Sequence, residues 1–104
     1  MKHFMIKYRR ENASEEQWHQ DIARFIAALD NEPAVKGKIA YRCMKNRKGN
    51  DYFHIAAAAD DQAIQALQSQ EFFKRYNEQT RAAAAGGEVE VVPLEIIAET
   101  QYRA

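Results

Sequence analysis

The sequence predicts an α+β protein in which two helices pack on one face of a four-stranded antiparallel sheet. Three observations lead to this class. Four runs alternate apolar and polar residues, two longer runs repeat apolar residues every three or four positions, and turn-forming residues separate most of these runs. Their order along the chain is β-α-β-β-α-β, an arrangement typical of helical crossovers above a single sheet.

The first half of the chain predicts a strand followed by a helix. The run "HFMIKYR" alternates apolar and polar residues. Ser14 can cap the helix that follows, and Gln17, three residues later, can reach back as in a capping box. Pro33 prevents this helix from continuing. The apolar stripe of the helix consists of Trp18, Ile22, Phe25, Ile26 and Leu29.

The middle of the chain predicts a β-hairpin. Its arms are "VKGKIAYRCM" and "DYFHIAAAA", and "KNRKGN" between them is typical of a turn. The strand residues predicted to face the helices are Phe4, Ile6, Tyr8, Ile39, Tyr41, Cys43, Phe53, Ile55 and Ala57. Those predicted to face away from them are Met5, Ala40, Met44, Tyr52, Ala56 and Ala58, together with His3, Lys7, Arg42 and His54.

The second half predicts another helix and a last strand. Asp60 or Asp61 can cap "DQAIQALQ", and Ser69 is expected to bend or restart the helix before "QEFFKRYNEQTRAAAA". Gly86 and Gly87 are expected to end it. The run "EVEVVPLEIIAET" then supplies the fourth strand.

This element order favours the ferredoxin-like sheet, with strands in the order 4-1-3-2 and both helices on one face. The other face would carry more apolar surface than a solvated sheet usually does. The last run is also longer than the strand needs, and Pro93 suits a point where a strand leaves its sheet. The sequence therefore predicts a homodimer in which the two sheets face each other and each C-terminal strand reaches the other subunit.

The length and composition of the chain limit the classes of function. The 104 residues predict a single domain, 1–104, and 15 basic against 15 acidic side chains leave no excess of charge with which to bind nucleic acid. Cys43 is the only cysteine, so no intrachain disulfide can form. The N-terminus lacks the pattern of a signal peptide, and no run is apolar enough to span a membrane. We therefore expect a cytoplasmic protein.

The element order, the segment "DYFHIAAAADDQAIQALQSQEFFKRYNE" and the tail together resemble the antibiotic biosynthesis monooxygenase-type family over nearly the whole chain. The most specific part is a strand followed by an acidic residue, Gln and Ala, and then "SQEFFKRYN". The resemblance implies a dimeric α+β barrel with a candidate pocket between the helices and the sheet of each subunit. Some members of the family oxidise polyketide-like aromatic compounds with molecular oxygen and without metal or flavin, and others degrade haem.

Haem degradation is disfavoured for this chain. The haem-degrading branch has an Asn on the first strand, a Trp at the end of the third and a His on the second helix, where this sequence has Tyr8, Ala58 and Asn77. Without that His, nothing supplies the axial ligand of the iron. The sequence also lacks a glycine-rich phosphate loop and cysteines or histidines at zinc spacing. It therefore predicts no cofactor and no metal site.

The candidate catalytic residues are Tyr8, Tyr76, Asn77 and His54. The tyrosine hydroxyls and the Asn77 amide would lie between the helices and the sheet, where hydrogen-bond donors can stabilise an oxyanion. The candidate substrate-binding residues are the aromatic side chains of Trp18, Tyr41 and Phe73. An apolar aromatic wall with a few polar groups is the usual anatomy of a small-molecule site. Aromatic stripes at helical spacing, however, more often form the core.

The role of His54 stays open at this point. It is predicted on the sheet face away from the helices, near Lys7, whose charge would disfavour protonation and leave a neutral imidazole able to accept a proton. Alternatively, His54 forms hydrogen bonds within a dimer interface. His19 is expected near the polar side of its helix. No clear general base therefore faces the candidate pocket.

The predicted function is cofactor-independent oxidation of a small aromatic compound, polyketide-like or quinol-like. The alternative is a non-catalytic small-ligand-binding or stress-response protein in which the tyrosines only pack. An isomerase or cyclase on the same scaffold also stays open, because a fold does not determine a reaction.

Overall fold

The computed structural model describes residues 1–101. Its strands and helices are β1 (Lys2–Arg9), α1 (Glu15–Asn31), β2 (Ile39–Lys45), β3 (Asp51–Ala58), α2 (Asp61–Gln68), α3 (Glu71–Ala83) and β4 (Glu90–Leu94). The strands form one antiparallel sheet in the order β2-β3-β1-β4. The predicted α+β class and the predicted ferredoxin-like strand order are confirmed. No helix among residues 1–101 has the length and apolar character needed to cross a membrane.

The ends of the helices follow local signals in the sequence. The Ser14 Oγ accepts a hydrogen bond from the Gln17 backbone N at 3.1 Å, so the predicted N-cap is confirmed. The Gln17 side chain, however, donates to Asp21 instead of reaching back, so the reciprocal half of the capping box is wrong. Asp60 caps α2 by accepting from the Ala63 backbone N at 2.8 Å.

The expected interruption at Ser69 is present, since α2 ends at Gln68 and α3 begins at Glu71. Beyond α3, a short 3₁₀ turn spans Ala85–Gly87, where both glycines have positive φ angles of 62° and 70°. This backbone conformation favours glycine and turns the chain back towards β4.

The register of β3 differs from the prediction and changes the faces of the sheet. His54 lies opposite Ile6 of β1 and Cys43 of β2, so it is on the helix side of the sheet. Because side chains alternate along a strand, one residue of slip moves every side chain to the other face. Tyr52, Ala56 and Ala58 therefore lie on the helix side with His54, and the predicted inward placement of Phe53, Ile55 and Ala57 is wrong.

The core lies between α1, α3 and the sheet. Four of the five stripe residues of α1 are buried, namely Trp18, Ile22, Phe25 and Leu29, and Ile26 packs against them while half-buried. The largest fully buried side chains are Trp18, Tyr52, His54 and Val35. Two of these four are polar aromatic groups on β3, so the centre of the core contains a hydrogen-bonding network.

The last strand is shorter than predicted. β4 ends at Leu94, and the segment that follows it forms no strand with the described residues. Pro93 pairs with Phe4 on an edge strand, a position in which proline is tolerated. Ile96 and Ile97 in the tail are 51% and 84% exposed. The reach of this tail to a second subunit stays a prediction.

Candidate functional site

A cavity of about 330 Å³ lies between α2, α3 and the helix side of the sheet. We call it the helix–sheet cavity. Its apolar wall includes Phe4, Ile6, Ile39, Ile64, Leu67 and Phe73. Its polar lining consists of Tyr41, Gln68, Tyr76, Asn77, Thr80 and Arg81. This combination of an apolar wall and a few polar groups is the anatomy expected of a small-molecule site.

The spacing of residues along α3 brings most of these polar groups to the cavity. Phe73, Asn77 and Arg81 follow one another at intervals of four, and Tyr76 and Thr80 do the same, so all five share one face. The Thr80 hydroxyl donates to the Tyr76 backbone O at 2.7 Å and is thereby satisfied within the helix. The groups of α3 that remain for a ligand are those of Tyr76, Asn77 and Arg81.

Directly behind the cavity, His54 joins three tyrosines. Its Nδ1 lies 3.0 Å from the Tyr41 hydroxyl and 3.2 Å from the Tyr76 hydroxyl. Its Nε2 lies 2.9 Å from the Tyr8 hydroxyl, which also accepts a hydrogen bond from the Trp18 indole Nε1 at 2.8 Å. A continuous hydrogen-bonded chain therefore runs from Trp18 on α1 to the two tyrosines that line the cavity.

Aromatic packing holds this chain in place. The Tyr76 ring stacks on Phe25 at 3.8 Å between centroids and on Trp18 at 5.8 Å, with interplanar angles of 2° and 9°. Tyr8 stacks on Tyr52 at 5.1 Å. Because these rings are fixed between neighbours, the positions of the hydroxyl groups are set before any ligand arrives.

Burial keeps every ionisable member of this hydrogen-bonded chain neutral. It lowers the pKa of His54 from 6.5 to about 4, because the charged imidazolium would lose its hydration. Burial likewise raises the pKa of Tyr8, Tyr41 and Tyr76 far above the ordinary value of a phenol. The adjacent Cys43 thiol has its pKa raised to about 11 by the same cause. None of these five groups is charged at neutral pH.

The structure separates the seven predicted site residues into two layers. Tyr41, Phe73, Tyr76 and Asn77 line the helix–sheet cavity. Tyr8, Trp18 and His54 lie behind it, hydrogen-bonded to one another and to the lining tyrosines. Trp18, predicted in the wall of the site, has a 1% exposed side chain and acts on the cavity only through its neighbours.

The prediction that His54 lies near Lys7, away from the helices, is wrong. Lys7 is on the opposite face, with its ammonium group 6.0 Å from the centre of the Phe53 ring. His54 is 0% exposed and lies among tyrosines. Its neutrality therefore comes from lost hydration and owes nothing to a neighbouring cation.

Sequence reasoning also missed Gln68, Thr80 and Arg81 in the lining. The helical spacing from Asn77 to Arg81 was a signal that could have placed the arginine on the same face. A second cavity of about 240 Å³ lies at the other end of the sheet, beside His19, Cys43 and Lys45. There the His19 Nε2 lies 2.8 Å from the Tyr52 hydroxyl, a contact that the sequence did not predict.

Comparison with solved structures identifies the fold. SnoaB, a cofactor-independent oxygenase from Streptomyces nogalater, is 20% identical over 97% of both chains, with a TM-score of 0.76. An antibiotic biosynthesis monooxygenase is 15% identical over 94% of this chain and 100% of its own, with a TM-score of 0.77. A dimeric ferredoxin-like protein of unknown function from Jannaschia sp. CCS1 is 15% identical over 92% and 100%, with a TM-score of 0.70.

No protein-family model matches the sequence, and no curated protein is significantly similar to it. The likeness is therefore one of three-dimensional structure, spread over nearly the whole chain. The chain has the fold of the antibiotic biosynthesis monooxygenase-type ferredoxin-like proteins, as its element order and its "SQEFFKRYN" segment predicted.

Proposed function

We propose that this protein is a cofactor-independent monooxygenase that oxidises a small, electron-rich aromatic compound in the helix–sheet cavity. One observation carries the proposal: two phenol hydroxyls and an amide, from Tyr41, Tyr76 and Asn77, converge on an apolar cavity of about 330 Å³. The similarity of fold to SnoaB supports the same class of reaction but does not specify the substrate.

The reaction balances without a cofactor because the substrate supplies the electrons. A quinol or an anthrone-like ring loses a proton, and its carbanion passes one electron to molecular oxygen. Recombination of the resulting radicals forms a carbon–oxygen bond, and the peroxide takes back a proton. Loss of water then leaves a carbonyl in place of the methylene group of an anthrone or of a ring C–H of a quinol. One oxygen atom enters the product and the other leaves as water.

In this scheme the protein holds the ring, excludes water and stabilises negative charge on the substrate oxygen. The Asn77 amide and the hydroxyls of Tyr41 and Tyr76 would donate hydrogen bonds to that oxygen. Phe73 and Ile64 would contact the faces of the ring. Fixed donors in a cavity of low polarity stabilise a developing charge better than water does, because they need not reorganise.

Oxygen consumption tests this proposal. We expect uptake with a model anthrone or quinol above the rate of its spontaneous oxidation, and the Asn77→Ala variant should lower kcat by roughly 100-fold. Glu78→Ala is the matched control, because Glu78 is the next residue on α3, is exposed and does not line the cavity. Equal rates for the two variants would contradict the role of Asn77.

A second candidate function is non-catalytic binding of a small ligand. The observation that favours it is that burial holds the pKa of His54 near 4 and those of the lining tyrosines far above neutrality, so neither is poised to exchange protons at pH 7. Anthrones or quinols that bind without any oxygen uptake would favour this alternative and overturn the oxygenase proposal.

We also propose that the protein acts as a homodimer through the sheet face that the helices leave open. This face carries Met5, Met44, Phe53, Ile55 and Val92 among polar residues. Such a mixed but largely apolar face favours a second sheet more than water. The exposed Ile96 and Ile97 of the tail could bury their side chains against the same partner.

A further inference from the structure

We propose that the helix–sheet cavity binds its aromatic ligand as an anion, with a phenol or enol deprotonated at oxygen and its negative charge facing Tyr41, Tyr76 and Arg81. This inference rests on the proposed function in one respect, that an aromatic compound occupies the cavity. It supplies what the oxygenase scheme lacks, a way to ionise the substrate without a general base.

The hydrogen bonds of Tyr8 determine which nitrogen of His54 carries the hydrogen. The Trp18 indole can only donate, so the Tyr8 oxygen accepts from it. The Tyr8 hydroxyl then needs an acceptor for its own hydrogen, and His54 Nε2 is its only other hydrogen-bond partner among residues 1–101. A buried hydroxyl without an acceptor is costly, so Nε2 accepts the Tyr8 hydrogen.

The neutrality of the imidazole determines the role of its other nitrogen. A neutral ring with an unprotonated Nε2 carries its hydrogen on Nδ1, which therefore donates to Tyr41 or Tyr76. Neither tyrosine can then give its hydrogen to His54. One hydroxyl can donate to the other, and the neighbouring Cys43 sulfur is only a weak acceptor. An anionic oxygen in the cavity is the strong acceptor for which this pair is arranged.

The charge on the cavity lining is positive. Among the described residues that line the cavity, Arg81 alone carries a charge, and no carboxylate faces the ligand. The Arg81 side chain forms no ion pair or hydrogen bond with any residue in the described part of the chain, although Glu78 lies three positions earlier on α3. A cation beside an apolar cavity lowers the pKa of a bound phenol.

The two layers of the site therefore have different roles. The inner layer, Trp18 to Tyr8 to His54, fixes the direction of hydrogen bonding. The outer layer, Tyr41, Tyr76 and Arg81, offers donors and positive charge. When a phenol binds, its O–H bond breaks heterolytically and the proton passes to solvent, with no oxidation or reduction at this stage. His54 is thus a positioning residue, which acts on the ligand only through the tyrosines.

The first test uses 4-nitrophenol, whose phenolate absorbs at a longer wavelength than the phenol. We expect a pH titration of the bound probe to show its apparent pKa lowered by about one unit, which is a tenfold preference for the phenolate. Arg81→Met keeps the length of the side chain without the charge and should lose most of this shift, and Arg81→Lys should keep it. An unchanged or raised pKa, or no binding at millimolar concentration, would overturn the proposal.

The second test needs no change at the site itself. Nitrogen NMR distinguishes the two neutral tautomers of histidine, and the signal that remains in a His3→Ala, His19→Ala double variant belongs to His54. We expect the Nδ1–H tautomer, and a signal from the Nε2–H tautomer would contradict the assignment. Neither test consumes oxygen. Phenolate binding without turnover would therefore defeat only the oxygenase proposal, and turnover with preferential binding of neutral phenol would defeat only this inference.

Discussion

The hydrogen-bond partners of His54 determine how this buried residue behaves chemically. A histidine that acts as a general base commonly has a carboxylate to stabilise its charged form. Here its three partners are tyrosine hydroxyls, and burial keeps all of them neutral. A polar network of this kind orients hydrogen bonds without carrying charge, which suits a site that stabilises an anion on its ligand.

The pH dependence of the free energy of unfolding should reveal the lowered pKa of His54. Because burial lowers the folded pKa of His54 to about 4 from 6.5, the unfolded chain binds the proton more readily between these values. The free energy of unfolding should therefore rise with pH across this window. As the pH falls from 6.5 to 4, it should decrease by up to about 3 kcal/mol. Urea unfolding between pH 6.5 and pH 4 measures this loss.

The control for that experiment is the His54→Gln variant, which lacks the titrating ring. Its free energy of unfolding should fall less steeply than that of the wild type over the upper part of the window. Parallel curves for the two proteins would mean that His54 is not the group responsible.

The two sides of the imidazole should differ in their tolerance of substitution. Tyr8→Phe leaves both the Trp18 Nε1–H and the His54 Nε2 without a partner, so it should cost about 3 kcal/mol. Tyr41→Phe should cost only about 1 kcal/mol, because Tyr76 still reaches His54 Nδ1. Urea denaturation of both variants tests the difference, and equal losses would argue against the chain of bonds described here.

Among the elements, the β2–β3 hairpin decided where His54 lies. The Asn46 backbone N donates to the Asp51 backbone O at 2.9 Å, so four residues form the loop. A hairpin loop with an even number of residues pairs odd-numbered with even-numbered strand positions. This pairing places His54 opposite Cys43. Hydrophobicity alone favoured Phe53 and Ile55 as the inward residues, and it failed because the open face of this sheet is also apolar.

Helix α2 forms part of the cavity wall through Ile64 and Leu67, so its stability affects the site. Asp60→Ala removes the side chain that caps this helix and should lower the free energy of unfolding by about 1 kcal/mol. Asp61→Ala is the control, because its exposed pairing with Lys2 at 3.9 Å should contribute only a few tenths of that. Urea unfolding measures both losses, and equal losses for the two variants would exclude the capping role.

At the scale of the whole molecule, the open sheet face is the proposed dimer interface. Ile55 lies near the middle of this face, between Met5 and Arg42. Ile55→Glu would place a charge at the centre of the proposed dimer interface, where burial without a partner is costly. We expect sedimentation to show a dimer for the wild type and a folded monomer for the variant.

The matched substitution for this prediction is Gln65→Glu, which adds the same charge at an exposed position on α2. It should sediment as the wild type does. A wild-type protein that is monomeric and well folded at micromolar concentration would contradict the proposed assembly.

Several features of this protein followed from the sequence by itself. The element order, the N-cap at Ser14, an N-cap at Asp60 or Asp61, the stripe of α1 and the order of the four strands all depend on local patterns or on general rules of chain connection. The layer between α3 and the sheet was predicted to hold Tyr41, Tyr76 and Asn77, and these residues line the cavity.

Only the tertiary structure decided which face of β3 is buried, and with it the place of His54 among three tyrosines. Strand register depends on how a loop closes and on which side chains pack together across the sheet, and these contacts join residues far apart in the chain. The position of Arg81 beside an apolar cavity also depends on tertiary contacts, because the cavity wall comes from α2, β2 and β4 as well as from its own helix.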